Sequence, residues 1–154
     1  IDITKKFSKT VKAVFSYMNL VYNIAVVQCL SGYGTVFADV AVVDLTFNMK
    51  SNRTLRMEFQ SLTTKQDDGS WVQVLAEYTM TPHWFFAVFD EYNYNNIETK
   101  KRLHYFTVQG GYKNKGNTVT VGYGRQRVGI FCVGGVCRNV PASNGVTLSL
   151  TCSF

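Results

Sequence analysis

Residues 146–154 read VTLSLTCSF, and this run decides the fold. Val146, Leu148, Leu150, Cys152 and Phe154 fall on one side of an extended chain and Thr147, Ser149, Thr151 and Ser153 on the other, since successive strand side chains point to opposite faces. The same period of two returns upstream. Val119, Val121 and Tyr123 oppose Thr118, Thr120, Gly122 and Gly124; Leu55, Met57 and Phe59 oppose Arg56, Glu58 and Gln60; Val72, Val74, Ala76, Tyr78 and Met80 oppose Gln73, Glu77 and Thr79. Less regular runs complete the set. Val11 to Met18, residues 34–47, Trp84 to Phe89 and Leu103 to Tyr112 each read as a strand, which brings the expected number to eight. Asp39 is the awkward residue of the second of these, on the face shared by Phe37, Ala41 and Val43.

The connections alternate in length. Residues 48–52, 81–82 and 113–116 are short and rich in turn formers, whereas 23–34, 63–69, 93–101 and 127–145 are long. In an up-and-down meander this order gathers every tight turn at one end and every long loop at the other, the arrangement of an outer-membrane β-barrel. The chain has 154 residues, 46% of them hydrophobic, 14% aromatic and 17% charged. Average domains carry about 25% charged residues, so this chain has fewer charges than a surface facing water on all sides normally holds. No run of about 18 apolar residues offers a membrane-spanning helix. The net charge of +6 comes mainly from turns and ends: Lys5, Lys6, Lys9 and Lys12, then Lys50 and Arg53, Lys100 to Arg102, and Lys113 with Lys115. These do not form a stripe among stacking aromatics, so nucleic acid is not an expected partner. Ile1 opens the chain without a leader-like segment, as expected of a processed product or of part of something longer.

Alternation also fits a soluble carrier barrel with its apolar face inside, and the polar face discriminates. A face in bulk water carries Lys and Glu at most positions, but the last two strands carry Thr, Ser and Gly, which suit a crowded lumen. Tyr17, Tyr22, Tyr78, Trp84, Tyr92, Tyr112, Tyr123 and Phe154 fall near strand ends, where interfacial girdles lie. The lipid bilayer is therefore the expected partner of the apolar face. The expected lumen lining is Lys12, Arg56, Glu58, Gln60, Gln73, Glu77, Glu91, Gln109 and Thr120, with Glu77 placed to pair with Arg56 from the next strand.

The terminal strand, with Leu148, Leu150 and an aromatic Phe154, resembles the C-terminal strand of Gram-negative outer-membrane proteins. That resemblance implies recognition by the barrel-assembly machinery and an outer-membrane location. Residues 123–154, YGRQRVGIFCVGGVCRNVPASNGVTLSLTCSF, resemble the end of an uncharacterised Bacteroidota outer-membrane barrel family whose members are longer. This implies that the chain is the C-terminal part of a larger barrel, and it implies no known activity.

Cys132 and Cys137 flank Val133, Gly134, Gly135 and Val136; a two-residue Gly-Gly turn sets the cysteines opposite one another, within disulfide reach. A bridge at the tip of the last long loop is expected in an oxidising compartment, with two reduced thiols as the alternative. Cys29 and Cys152 belong at opposite ends and are not expected to pair. The loop, with Arg125, Arg127, Arg138, Pro141 and Asn144 in and around it, is expected to be a solvated, stapled cap, an inward fold that narrows a pore being the alternative. No metal or cofactor motif is present, and none is expected to be bound. An enzyme is not expected, because the nearest catalytic candidates, Asp90, Glu91 and His104, split between the two faces by parity. The expected fold is thus an all-β, antiparallel, up-and-down transmembrane barrel in one domain. A passive pore or transport component is the first expectation for its role; a membrane anchor or adhesive surface barrel, or a soluble ligand carrier, is the alternative.

Overall fold

The computed structural model describes residues 1–27, 34–50, 52–66, 68–133 and 136–152. The strands are β1 (Asp2–Lys6), β2 (Val11–Asn23), β3 (Thr35–Lys50), β4 (Arg53–Thr64), β5 (Trp71–Met80), β6 (Trp84–Asn93), β7 (His104–Asn114), β8 (Asn117–Gln126), β9 (Gly129–Val133), β10 (Val136–Val140) and β11 (Ser143–Thr151). A four-residue helix α1 (Ile24–Val27) follows β2, and Thr99–Lys101 makes a 3-10 turn. Nine strands form one antiparallel sheet in the order β1-β2-β3-β4-β5-β6-β7-β8-β11, while β9 and β10 pair only with each other. All eight expected strands are present. Sequence reasoning did not find β1, whose five residues DITKK are all exposed and show no apolar alternation.

The sheet is not closed. Its edges are β1 and β11, so the expected complete barrel is replaced, within the described residues, by an open up-and-down sheet. The alternation of turns is as expected: β3–β4, β5–β6 and β7–β8 meet through two or three residues, and the long links lie at the other end. The long links are ordered by side chains. Asn93 and Asn96 Nδ2 donate to the Asp68 carbonyl at 2.7 and 3.0 Å, and Ser70 Oγ donates to the Thr64 carbonyl at 3.0 Å, which satisfies buried backbone groups that a loop otherwise leaves unpaired.

Register sets what each face contains. One row across eight strands runs Ala13, Leu45, Met57, Ala76, Val88, Val108, Tyr123 and Val146. The row one residue away, on the opposite face, runs Lys12, Thr46, Arg56, Glu77, Ala87, Gln109, Gly122 and Thr147. A slip of one residue at any pair would mix these two chemistries, so the pattern specifies the register. The apolar face is the exposed one, and the polar face is the buried one. Val121, Leu148 and Tyr123 are 52%, 67% and 68% exposed, whereas Gln109, Glu77 and Thr107 are 4%, 8% and 2% exposed.

A small core sits on the polar face. Leu75, Phe85 and Ala87 cluster there with Val133 and Val140 of the β9–β10 hairpin, and Phe89 packs against them. The hairpin is therefore folded back onto the sheet. Gly111 makes room for this core, because a Cβ at that position would overlap the Phe85 ring.

Candidate functional site

The eight residues expected to line a lumen, Lys12, Arg56, Glu58, Gln60, Gln73, Glu77, Glu91 and Gln109, all lie on the polar face by register, as does Thr120. Arg56, Glu58, Gln60 and Gln73 form one hydrogen-bonded patch across β3, β4 and β5. Arg56 Nε donates to Asp44 Oδ2 at 2.6 Å, and its Nη2 reaches Glu58 Oε2. Gln60 Nε2 and Gln73 Nε2 both donate to Glu58 Oε1, at 2.5 and 3.4 Å, and Thr46 Oγ1 donates to Asp44 Oδ1 at 3.4 Å. Glu77 is opposite Arg56 in register and accepts from Thr79 Oγ1 at 3.3 Å. Low solvent access strengthens each of these bonds and makes an unpaired member costly. Asp44 is the partner that sequence reasoning missed. Its parity, opposite to Val43 and Leu45, was the available signal.

A second group lies toward the long loops. Arg127 Nη1 is 3.2 Å from Glu91 Oε1, and its guanidinium sits 4.3 Å above the Trp71 ring. Lys12 stays apart at the short-turn end of β2, opposite Thr46. Gln109 is buried with its Oε1 unpartnered among the described residues, packed beside Gly122, where a Cβ would come within 3.3 Å of the Gln109 Cβ.

Between the hairpin and the polar face lies a cavity of about 750 Å³. Arg56, Glu58, Gln60, Gln73, Glu91 and Arg127 line it from the sheet side, and Cys132, Cys137 and Val140 from the hairpin side. A smaller cavity of about 260 Å³ adjoins it at the long-loop end and shares Gln60, Gln73, Glu91 and Arg127. The Glu91–Arg127 pair thus stands between the two spaces. Trp71 was not foreseen, although strand parity puts it on this face; Arg127 was expected in and around the last long loop, but its pairing with Glu91 and Trp71 carries no periodic signal.

Cys132 and Cys137 are disulfide-bonded and directly opposed in the hairpin register, as their spacing predicts. The expected solvated cap is corrected, because Val133 and Val140 are buried against Leu75, Phe85 and Ala87, which holds the hairpin inward. Apolar burial against a small core decides this over solvation of the loop charges. Cys152 is an exposed free thiol at the short-turn end, and Cys29 lies outside the described residues.

Among the described residues, the exposed face carries the expected aromatics except Tyr22. Trp84 and Tyr112 meet edge-on at 4.9 Å near the short turns, and Tyr92 stacks on His104 at 4.1 Å near the long loops. Tyr22 is corrected to the inner face, where it packs with Leu20 against Val36 and Ala38. Polar groups on the apolar face gather toward the long loops. Asp39 accepts from Tyr17 Oη at 2.6 Å and from Asn19 Nδ2 at 2.8 Å, and Asp90 Oδ2 lies 2.8 Å from His104 Nδ1. Asp90 and His104 are on this face and Glu91 on the other, as parity requires. Leu148 and Leu150 of the terminal strand oppose Val121 and Val119 on the apolar face; Phe154 lies outside the described residues.

Such a sheet, with large apolar side chains exposed on one face and amides and ion pairs covered on the other, defines an all-β antiparallel up-and-down protein. The chain belongs to the family of unknown function DUF6029, which matches residues 1–154. No curated protein and no solved structure matches it.

Proposed function

We propose that this chain forms part of a transmembrane β-barrel of the outer-membrane type, acting as a non-enzymatic pore or transport component. The observation that carries the reading is the inverted exposure of the two faces. Soluble monomers rarely expose a contiguous apolar patch of more than a few hundred Å², yet here the outward row is apolar from strand to strand. A soluble carrier needs the apolar face inside, which is the reverse of this arrangement. The strands β2 to β8 and β11 are 9 to 16 residues long, enough for tilted strands to cross a bilayer. Terminal aromatics and the long-loop polar groups bracket the apolar band as an interface would.

Strand parity supports the larger-barrel reading. With nine strands and only antiparallel neighbours, β1 and β11 run in the same direction, so joining them directly would make a parallel seam. Copies related by rotation about a barrel axis would meet in the same parallel way. An all-antiparallel barrel therefore needs an odd number of further strands between β1 and β11, supplied by a longer chain. This agrees with the resemblance of residues 123–154 to the end of a longer Bacteroidota barrel family, and with Leu148 and Leu150 serving the assembly machinery at the terminal strand.

A membrane anchor is the second reading, favoured by the hairpin that covers part of the polar face. Conductance of the full-length product in planar bilayers separates the two. Steps of defined conductance are expected of a pore; a silent, fully inserted barrel would establish the anchor.

A further inference from the structure

The cavity beneath the stapled hairpin has a chemistry that selects among solutes. Its volume of about 750 Å³ falls within the roughly 300–1,000 Å³ of typical small-molecule sites. Two cations, Arg56 and Arg127, and two anions, Glu58 and Glu91, line it, and all four are already engaged: Arg56 with Asp44 and Glu58, Arg127 with Glu91. An ionic solute would have to displace one partner of these half-exposed pairs to be neutralised, whereas a neutral solute leaves both intact. The hydrogen-bonding capacity left over is in amides. Gln126, 7% exposed on the same face, lines the cavity, and its buried Nε2 has no partner among the described residues. Its Oε1 accepts a long bond from Ser143 Oγ at 3.5 Å. Gln60 and Gln73 add two more amides, and Phe89 an apolar surface, within the same wall.

We propose that this cavity is a binding site for a neutral, hydroxyl-rich solute of mono- or disaccharide size. Hydroxyl groups both donate and accept, so they can meet the amides and the carboxylate lone pairs of the wall without disturbing either ion pair. The ring C–H surface of such a solute suits Phe89. The inference rests on the reading of the polar face as a solute pathway, and the experiment below separates the two.

The test uses the full-length product in detergent micelles, titrated with sucrose, glucose and sodium gluconate and read by saturation-transfer NMR, with bilayer conductance recorded in parallel. Saturable binding of sucrose or glucose is expected, at least tenfold tighter than gluconate. Gln126→Leu and Gln73→Leu, each checked for native far-UV circular dichroism, are expected to weaken sugar binding at least fivefold, whereas Trp84→Phe on the outer face leaves it unchanged. Absence of saturable sugar binding by the folded protein, equal binding of gluconate, or sugar binding indifferent to both glutamine variants would each overturn the proposal. Sugar binding without conductance would keep the site and remove the pore; conductance without sugar binding would do the opposite.

Discussion

At Gly111 the backbone of β7 runs directly beneath the Phe85 ring, and no side chain fits between them. Gly111→Val is expected to expel Phe85 from the small core with Leu75, Ala87, Val133 and Val140, and to cost about 2 kcal/mol or more through overpacking. Urea unfolding in lipid vesicles measures this, and an unchanged midpoint would contradict it. Arg56 makes a different kind of contribution. It holds Asp44 and Glu58 together from a partly exposed position, so Arg56→Met leaves two carboxylates facing each other across adjacent strands. A loss of about 1–2 kcal/mol is expected, because partial exposure tempers the several kcal/mol of a fully buried pair. In a double-mutant cycle Glu58→Gln should recover part of that loss, a coupling of about 1 kcal/mol; additive losses would show that the pair is not a unit. Parity alone puts Arg56, Glu58, Glu77 and Gln109 on one face, and that much is legible from the sequence. The Asp44 contact needs the register between β3 and β4, and the Arg127 stack on Trp71 needs the path of a loop, neither of which a single strand's pattern contains.

At the scale of elements, the β9–β10 hairpin combines a local staple with a tertiary seat. The staple is local because Cys132 and Cys137 are five residues apart, and such spacing around two glycines is readable from the sequence. The seat is not, since Val133 and Val140 meet Leu75, Phe85 and Ala87 of β5 and β6, far away in sequence. The two contributions can be measured apart. Replacing both cysteines with serine is expected to lower the hairpin's local stability by about 2 kcal/mol on the loop-entropy estimate and to open residues 127–142 to protease, with the sheet's circular dichroism unchanged. Val140→Asp keeps the staple and unseats the hairpin, so single-channel conductance of the full-length product should rise; a current equal to that of the parent would mean that the hairpin does not narrow the path. β1 was missed for an equally physical reason. A short edge strand whose five residues are all exposed needs no apolar alternation, and its lysines, Lys5 and Lys6, suit a sheet edge.

At the scale of the whole molecule, the two solvents of the sheet make a graded prediction. Val121 lies within the apolar band, flanked by Gly110 and Leu148, whereas Val146 lies nearer the long-loop end of β11. If the band faces lipid, Val121→Arg should cost about 2–4 kcal/mol and Val146→Arg markedly less, because the penalty falls from the bilayer midplane to the interface. In water both substitutions on an exposed surface would stay within about 0.5 kcal/mol, so refolding titrations of the two variants decide between the solvents. Closure could not be read from alternation, which reports a strand's two faces but not where a sheet ends. The order of pairing has a further consequence. Every sheet neighbour is also the next strand in sequence except β8 and β11, which enclose the hairpin between them. Growth from strand to strand keeps most contacts local, and this one step must wait for the intervening segment. The hairpin is tethered at the long-loop ends of both strands, so it reaches the polar face by folding over that rim, and Val133 and Val140 hold it there. Docking of the last strand thus fixes both ends of the hairpin at one rim, and burial of two valines then chooses its side.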